Sequence, residues 1–221
     1  MNVGDPVPAG TTDHSLERLV FFSDAVFAIA ITLLVIEIHP PHLEYGSSDQ
    51  AHLAALAQLI PSFIGYVVSF AVIGLFWMGH HRAFALAGAY SPRVLGWNLA
   101  LLGSIAFIPF VTAYLSANVL QRVPTVLYCA VLLLASILNY RTNRVATSPH
   151  MLAQGVSAEA VRQVRQRSIG IIIGAAFALA LAAIFPAAGQ AGLATIPLWR
   201  MLSVRSARRG SEGRNGSGGG T

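Results

Sequence analysis

Arg18, Phe22, Ser23 and Asp24 stand together at the head of a strongly apolar run, residues 25–36. A guanidinium, a hydroxyl and a carboxylate at the mouth of a membrane-length helix have two chemical uses. They can bond to polar groups on neighbouring helices and hold the helix in place, at roughly 1 kcal/mol per bond inside a membrane. Alternatively, the carboxylate can contact an ion directly. In either case Asp24 must meet other helices or water, because an ionised group facing lipid is costly. Arg18 lies six residues before Asp24, outside the i,i+4 spacing of same-face neighbours, so a direct bond between them needs bending or long reach. A network completed by other spans is the better reading, and Trp77, His80, His81 and Asn98 offer the matching donors and acceptors.

A second carboxylate, Glu37, follows the same apolar run and is flanked by His39 and His42. It either attracts cations at an outer mouth or touches interfacial water, and the two histidines can make that end pH-sensitive. No metal site is expected, because zinc needs more convergent ligands than this stretch supplies. An acid–base pair of Asp24 and His80 lacks the nucleophile or metal an enzyme requires, so no catalytic residue is assigned. The single cysteine, Cys129, sits inside an apolar run and is read as buried filler.

Helical geometry divides the first run into faces. At about 100° per residue, Ile29, Leu33 and Ile36 fall within about 60° of one another. Phe22 and Val26 extend that face toward the N-terminus, and Thr32 borders it. Asp24 projects about 140° away and Ser23 also turns off the stripe.

These side chains need a scaffold, and the composition says which kind. Of 221 residues, 55% are hydrophobic and 10% charged, against about 25% charged in ordinary soluble domains. So little charge cannot cover a soluble core of this size, whereas lipid-facing surface needs no polar cover. The reading is an all-α integral membrane protein of six transmembrane helices. Spans are expected over residues 19–38, 53 or 61 to 79, 94–114, 123–140, 168–185 and 190–204. Twenty residues at 1.5 Å each reach about 30 Å, the thickness of a bilayer core. Pro61 fits a bend into the second span and Pro109 a kink in the third. A short basic helix is expected before the fifth span.

The basic residues, all arginine, test this count. With both termini cytoplasmic, every arginine except Arg122 falls on the inner side, as the positive-inside rule demands. The net charge of +5 is therefore read as topology, and no nucleic-acid partner is expected. Residues 1–17 are expected as a cytoplasmic tail, without the pattern of a cleaved signal peptide, 18–204 as the membrane domain and 205–221 as a disordered Gly/Ser-rich tail.

Arg18, Phe22, Ser23 and Asp24, followed by the run 25–35, resemble the opening helix of prokaryotic relatives of the endosomal/lysosomal potassium channel TMEM175. The resemblance extends more loosely to Trp77 with His80 and to Trp97 with Asn98. It implies a homotetramer of six-span subunits in a prokaryotic inner or plasma membrane, with helix 1 lining a central pore. Potassium is the implied permeant ion among monovalent cations, without a bound cofactor and without a Thr-Val-Gly-Tyr-Gly filter, which this sequence also lacks. By distance from the motif, Ile29 matches the bottleneck of relatives, Leu33 and Ile36 the further apolar rings, and Thr32 a selectivity threonine. The motif residues Arg18, Phe22, Ser23 and Asp24 are then anchors, in contact with neighbouring spans. The alternatives are a secondary transporter and a non-conducting scaffold. The two halves of the chain are not visibly alike, and the first span has no Gly or Pro interruption, so neither transporter hallmark is present.

Overall fold

Helix ends in this chain are set by prolines and serines, and the interior of each helix by an apolar or polar stripe. The computed structural model describes residues 9–185, with the side chains of 14–185. The expected sixth span, the C-terminal tail and the first eight residues lie outside the described residues. Helix α1 runs Ala9–Ile36. Leu16, Leu19, Ser23, Phe27, Ala30 and Leu34 recur at three- and four-residue spacing along it and are all buried, the single stripe of a helix packed on one side. Its start precedes the apolar run. Hydropathy marks the bilayer, whereas the helix continues outward, with Leu16 and Leu19 joining a small core with Phe84, Val94, Ala146 and Met151.

Ser48 caps α2, Asp49–Gln58, accepting from the Ala51 amide at 3.3 Å. Helix α3, Ile60–Phe84, follows after a break at Leu59, and Pro61 sits in its first turn where no amide proton is missed. His80, His81 and Arg82 lie within α3 rather than beyond its end. Ser91 caps α4, Pro92–Ala106, at the Val94 amide. Helix α5, Ile108–Ala117, completes the same span after a break at Phe107. Pro109 causes that break, because it lacks an amide proton and its ring crowds the carbonyl four residues back.

Helix α6, Arg122–Ala146, outruns its apolar part, which ends near Tyr140. The extension is stabilised by polar burial, since Thr142 and Asn143 are buried alongside Ala146. Helix α7, Ala158–Ile184, merges the expected basic helix and fifth span into one element, capped by Ser157 on the Ala160 amide at 3.2 Å. Arg162 and Gln163 both bond to Glu159 on its exposed first turns.

Five helical segments among the described residues are long and apolar enough to cross a membrane: His14–Ile36, Ile60–Phe84, Pro92–Ala117, Arg122–Ala146 and Ala158–Ile184. Helix α1 packs on α3, α4 and α5, α4 on α6, and α6 along α7. Their shared core holds Phe27, Leu34, Ile73, Phe76, Leu101, Ile105, Tyr128 and Leu132. Cys129 is buried and free. Outward faces carry Phe63, Val67 and Phe70 on α3 and Ile169, Ile173 and Phe177 on α7, surface that suits lipid.

The loops at the arginine-rich end are tied together. The Gly88 amide donates to the Met151 carbonyl at 2.8 Å and the Ala153 amide to the Leu86 carbonyl at 3.0 Å. A side chain at residue 88 would place its Cβ 2.7 Å from the Ala153 Cα, so this approach requires glycine.

Candidate functional site

The polar groups at the head of α1 meet those near the end of α3 and the start of α4. Ser23, His80 and Asn98 are all fully buried. The Ser23 hydroxyl donates to the Leu19 carbonyl one turn back at 2.7 Å. Its oxygen therefore accepts from Asn98, whose Nδ2 lies 2.8 Å away. Asn98 then presents Oδ1 to His80 Nε2, also at 2.8 Å. Because that oxygen only accepts, His80 carries its proton on Nε2. Its Nδ1 is buried and has no partner among the described residues. The imidazole is fixed between Phe84, stacked at 4.2 Å between ring centres, and Phe27 at 5.5 Å.

A second bond runs beside this chain. Trp77 Nε1 donates to Asp24 Oδ1 at 2.9 Å, and the Trp77 ring stacks on His81. Serine and aspartate at adjacent positions thus reach two different neighbours, Asn98 on α4 and Trp77 on α3. Arg18 and Phe22 take no part in these bonds. Arg18 is exposed and makes no ion pair among the described residues, and both side chains line a groove of about 370 Å³ with Leu19, Tyr90, Leu95 and Leu99. On the α4 side, the Arg141 guanidinium lies 5.6 Å over the Trp97 ring, within cation–π range.

The opposite side of α1 is open. Phe22, Ile29, Leu33 and Ile36 are 51%, 56%, 38% and 67% exposed. Val26 does not belong to this face, because it packs against the buried core; at about 60° from Ile29 it already leans toward the buried stripe. Thr32 is exposed, and its hydroxyl donates to the Ile29 carbonyl at 2.9 Å. Its proton is thereby engaged and its remaining lone pairs are available to a cation.

Beyond Ile36 the chain leaves the helix. His39 Nδ1 lies 3.0 Å from the Glu37 carbonyl. Glu37 is half-buried at the edge of a hollow of about 380 Å³ bounded by Leu34, Ser62, Phe110 and Tyr114. Among the described residues no three His, Cys, Asp or Glu side chains converge as a metal site would require.

Two polar clusters went unnoticed in the sequence. Ser69 bonds to Thr112 at 2.8 Å and Tyr128 at 2.9 Å, joining α3, α5 and α6. Asn143 bonds to Ser168 at 3.1 Å between α6 and α7. Asn139 and Asn143 stand one turn apart in a span, and amides seldom satisfy themselves within a helix, so that spacing was a usable signal.

A multi-pass helical membrane protein is therefore defined, with one helix anchored on its buried side by a polar network and bare on the other. The family described as endosomal/lysosomal potassium channel TMEM175 matches residues 18–109, which include the whole of this network. A potassium channel of Chamaesiphon minutus is 37% identical over 141 residues, covering 62% of this chain and 69% of that one. A potassium channel of Streptomyces collinus is 41% identical over 99 residues, 45% of this chain and 47% of that one. The crystal structure of a lysosomal potassium-selective channel TMEM175 homolog from Chamaesiphon minutus superposes with a TM-score of 0.70 at 28% identity, over 88% of this chain and 98% of that one. The chain belongs to the TMEM175 family, a family of ion channels and not of enzymes.

Proposed function

We propose that the protein is a homotetrameric, potassium-favouring cation channel of a prokaryotic inner or plasma membrane. Each subunit contributes six spans with both termini cytoplasmic, within a channel domain over residues 18–204, and α1 of each lines a central pore. The observation that carries this reading is the division of α1. One side is fixed in the core and by Ser23 and Asp24, while Phe22, Ile29, Leu33 and Ile36 stand exposed on another. Four such faces closing around an axis make stacked apolar rings. A narrow apolar ring dewets and blocks ions, and slight widening rewets it, so Ile29, Leu33 and Ile36 form the gate. Thr32 supplies the oxygen lone pairs that aliphatic rings lack. Preference for potassium then rests on ion size, hydration cost and these hydroxyls, and is weak. The network of Ser23, Asp24, Trp77, His80 and Asn98 holds α1 at its angle to the axis, with Arg18 and Phe22 at the inner mouth. The relatives named as potassium channels support the choice of ion.

The test is current through purified protein in planar bilayers with a potassium gradient. A reversal potential close to that of potassium is expected, with larger conductance for Ile29→Asn. Properly assembled protein that passes no current in either form would sink the channel reading.

A further inference from the structure

Near the arginine-rich end of the bundle, Asn139, Asn143 and Ser168 are buried in a row between α6 and α7. Their bond directions follow from one fixed point. The Ser168 hydroxyl donates to the Val164 carbonyl at 3.1 Å, so its oxygen must accept from Asn143 Nδ2. The same nitrogen faces Asn139 Oδ1 at a long 3.5 Å. With its oxygen turned to Asn143, Asn139 points Nδ2 the other way, fully buried and without a partner among the described residues. Gly79 of α3 stands in front of it, and a methyl group there would lie 3.6 Å from that nitrogen.

The glycine leaves a niche of about 10 Å³ between α3, α6 and α7, room for a single oxygen. Arg82 and Arg167 form its rim, close enough for their charges to repel. Among the described residues neither forms an ion pair, and Glu159 pairs instead with Arg162. An orphaned donor and two adjacent like charges are each unfavourable alone. An anionic oxygen cluster relieves both.

We infer that this niche binds a phosphate group. One phosphate oxygen enters the niche and accepts from Asn139 Nδ2, while the Arg82 and Arg167 guanidiniums donate to the others. Phosphate presents an oxygen to each of the three donors, whereas a carboxylate has only two oxygens. The group comes from an anionic phospholipid headgroup or from free phosphate. Arg82 lies two residues before the end of the membrane-spanning α3, a position where headgroups and arginines meet.

The full-length protein in uncharged detergent is tested with two probes. Native mass spectrometry reads retention of added phosphatidylglycerol, and thermal unfolding reads protection by inorganic phosphate against chloride. The variants are Gly79→Ala, Arg82→Gln with Arg167→Gln, and Arg144→Gln as a control for exposed charge. Gly79→Ala fills the niche at ordinary contact distance in a helix that tolerates alanine, so the fold survives while every charge is kept. Binding at least about tenfold weaker in the first two variants and unchanged in Arg144→Gln is expected, since each lost charged hydrogen bond is worth about that factor. That pattern with phosphatidylglycerol assigns the site to lipid, and with inorganic phosphate to the free anion. No binding of either probe, equal binding in all variants, or loss that follows net charge and spares Gly79→Ala overturns the inference.

Discussion

Replacing Asn98 with alanine should be among the most damaging single changes at the head of α1. Asn98 makes two side-chain bonds, to Ser23 and to His80, both at 2.8 Å and both between fully buried groups. Alanine removes both partners at once, with unequal effects. Ser23 keeps its bond to the Leu19 carbonyl and loses only an incoming donor. His80 loses the acceptor for Nε2, and its Nδ1 already lacks a partner among the described residues, so the imidazole becomes a buried polar group with no hydrogen bond to any of them. An orphaned buried donor costs about 1–3 kcal/mol, and the lost interhelical bond to Ser23 about 0.6 kcal/mol. The expected loss is roughly 2–4 kcal/mol for Asn98→Ala. It should be roughly 1–2 kcal/mol for Ser23→Ala, which orphans only the Asn98 amide. Reversible unfolding in lipid–detergent bicelles measures both, with Leu99→Ala, on an exposed part of α4, as the reference. A double variant, His80→Phe with Asn98→Leu, should recover part of the loss, because removing both partners leaves nothing unsatisfied. Asn98→Ala no more harmful than Leu99→Ala, or a double variant worse than the sum of its parts, would refute the argument.

Other predictions follow from single features of the structure. Gly88→Ala forces a Cβ to within 2.7 Å of the Ala153 Cα. It should cost about 1–3 kcal/mol and lower the thermal midpoint, whereas Gly96→Ala, with nothing within 4 Å, should not. Thr32→Val keeps the shape of the side chain but removes its oxygen. Under bi-ionic potassium and sodium the reversal potential should move toward zero with conductance retained, and an unmoved potential removes Thr32 from the selectivity argument. Glu37→Gln should reduce cation conductance at low salt and leave it unchanged at high salt, since the screening length shrinks from about 30 Å at 0.01 M to about 3 Å at 1 M. An equal reduction at both salt levels would mean the carboxylate acts locally.

Much of this architecture is legible in the sequence because lipid makes demands that composition records. Apolar runs mark the five segments seen, and Pro61 and Pro109 mark the breaks at Leu59 and Phe107. The arginine distribution places the end of α3 and the start of α4 beside the start of α1. That is why Asn98, His80 and Trp77 are readable as partners for Ser23 and Asp24. Helix lengths are less legible. Hydropathy follows the bilayer, whereas α6 continues to Ala146 because Thr142 and Asn143 find burial rather than water. Hydroxyl partners are hardest to read. Ser104, Ser136 and Thr142 each satisfy their own helix carbonyls, so a serine in an apolar run carries no message about a neighbour. Ser69, like Ser23 and Ser168, does reach a neighbouring helix, and only packing reveals its bonds to Thr112 and Tyr128.

The two halves of α1 are held differently. Up to Asp24 the helix is fixed by the apolar contacts of Leu16 and Leu19 together with the hydrogen bonds of Ser23 and Asp24, and hydrogen bonds have a direction and fail when the angle is wrong. From Phe27 to Leu34 its attachment is apolar contact with the core, which tolerates small slides and rotations without losing a bond. Thr32 does not alter this division, because its hydroxyl bonds within α1 itself. Small movements of α1 are therefore cheapest in the half that carries Ile29, Leu33 and Ile36 and dearest at Ser23. If those residues form the gate proposed above, a slight tilt about the anchored end widens it without breaking the network. On that reading, changes at Ser23 or Asn98 act on how α1 is held, and changes at Ile29 act on what the ions meet.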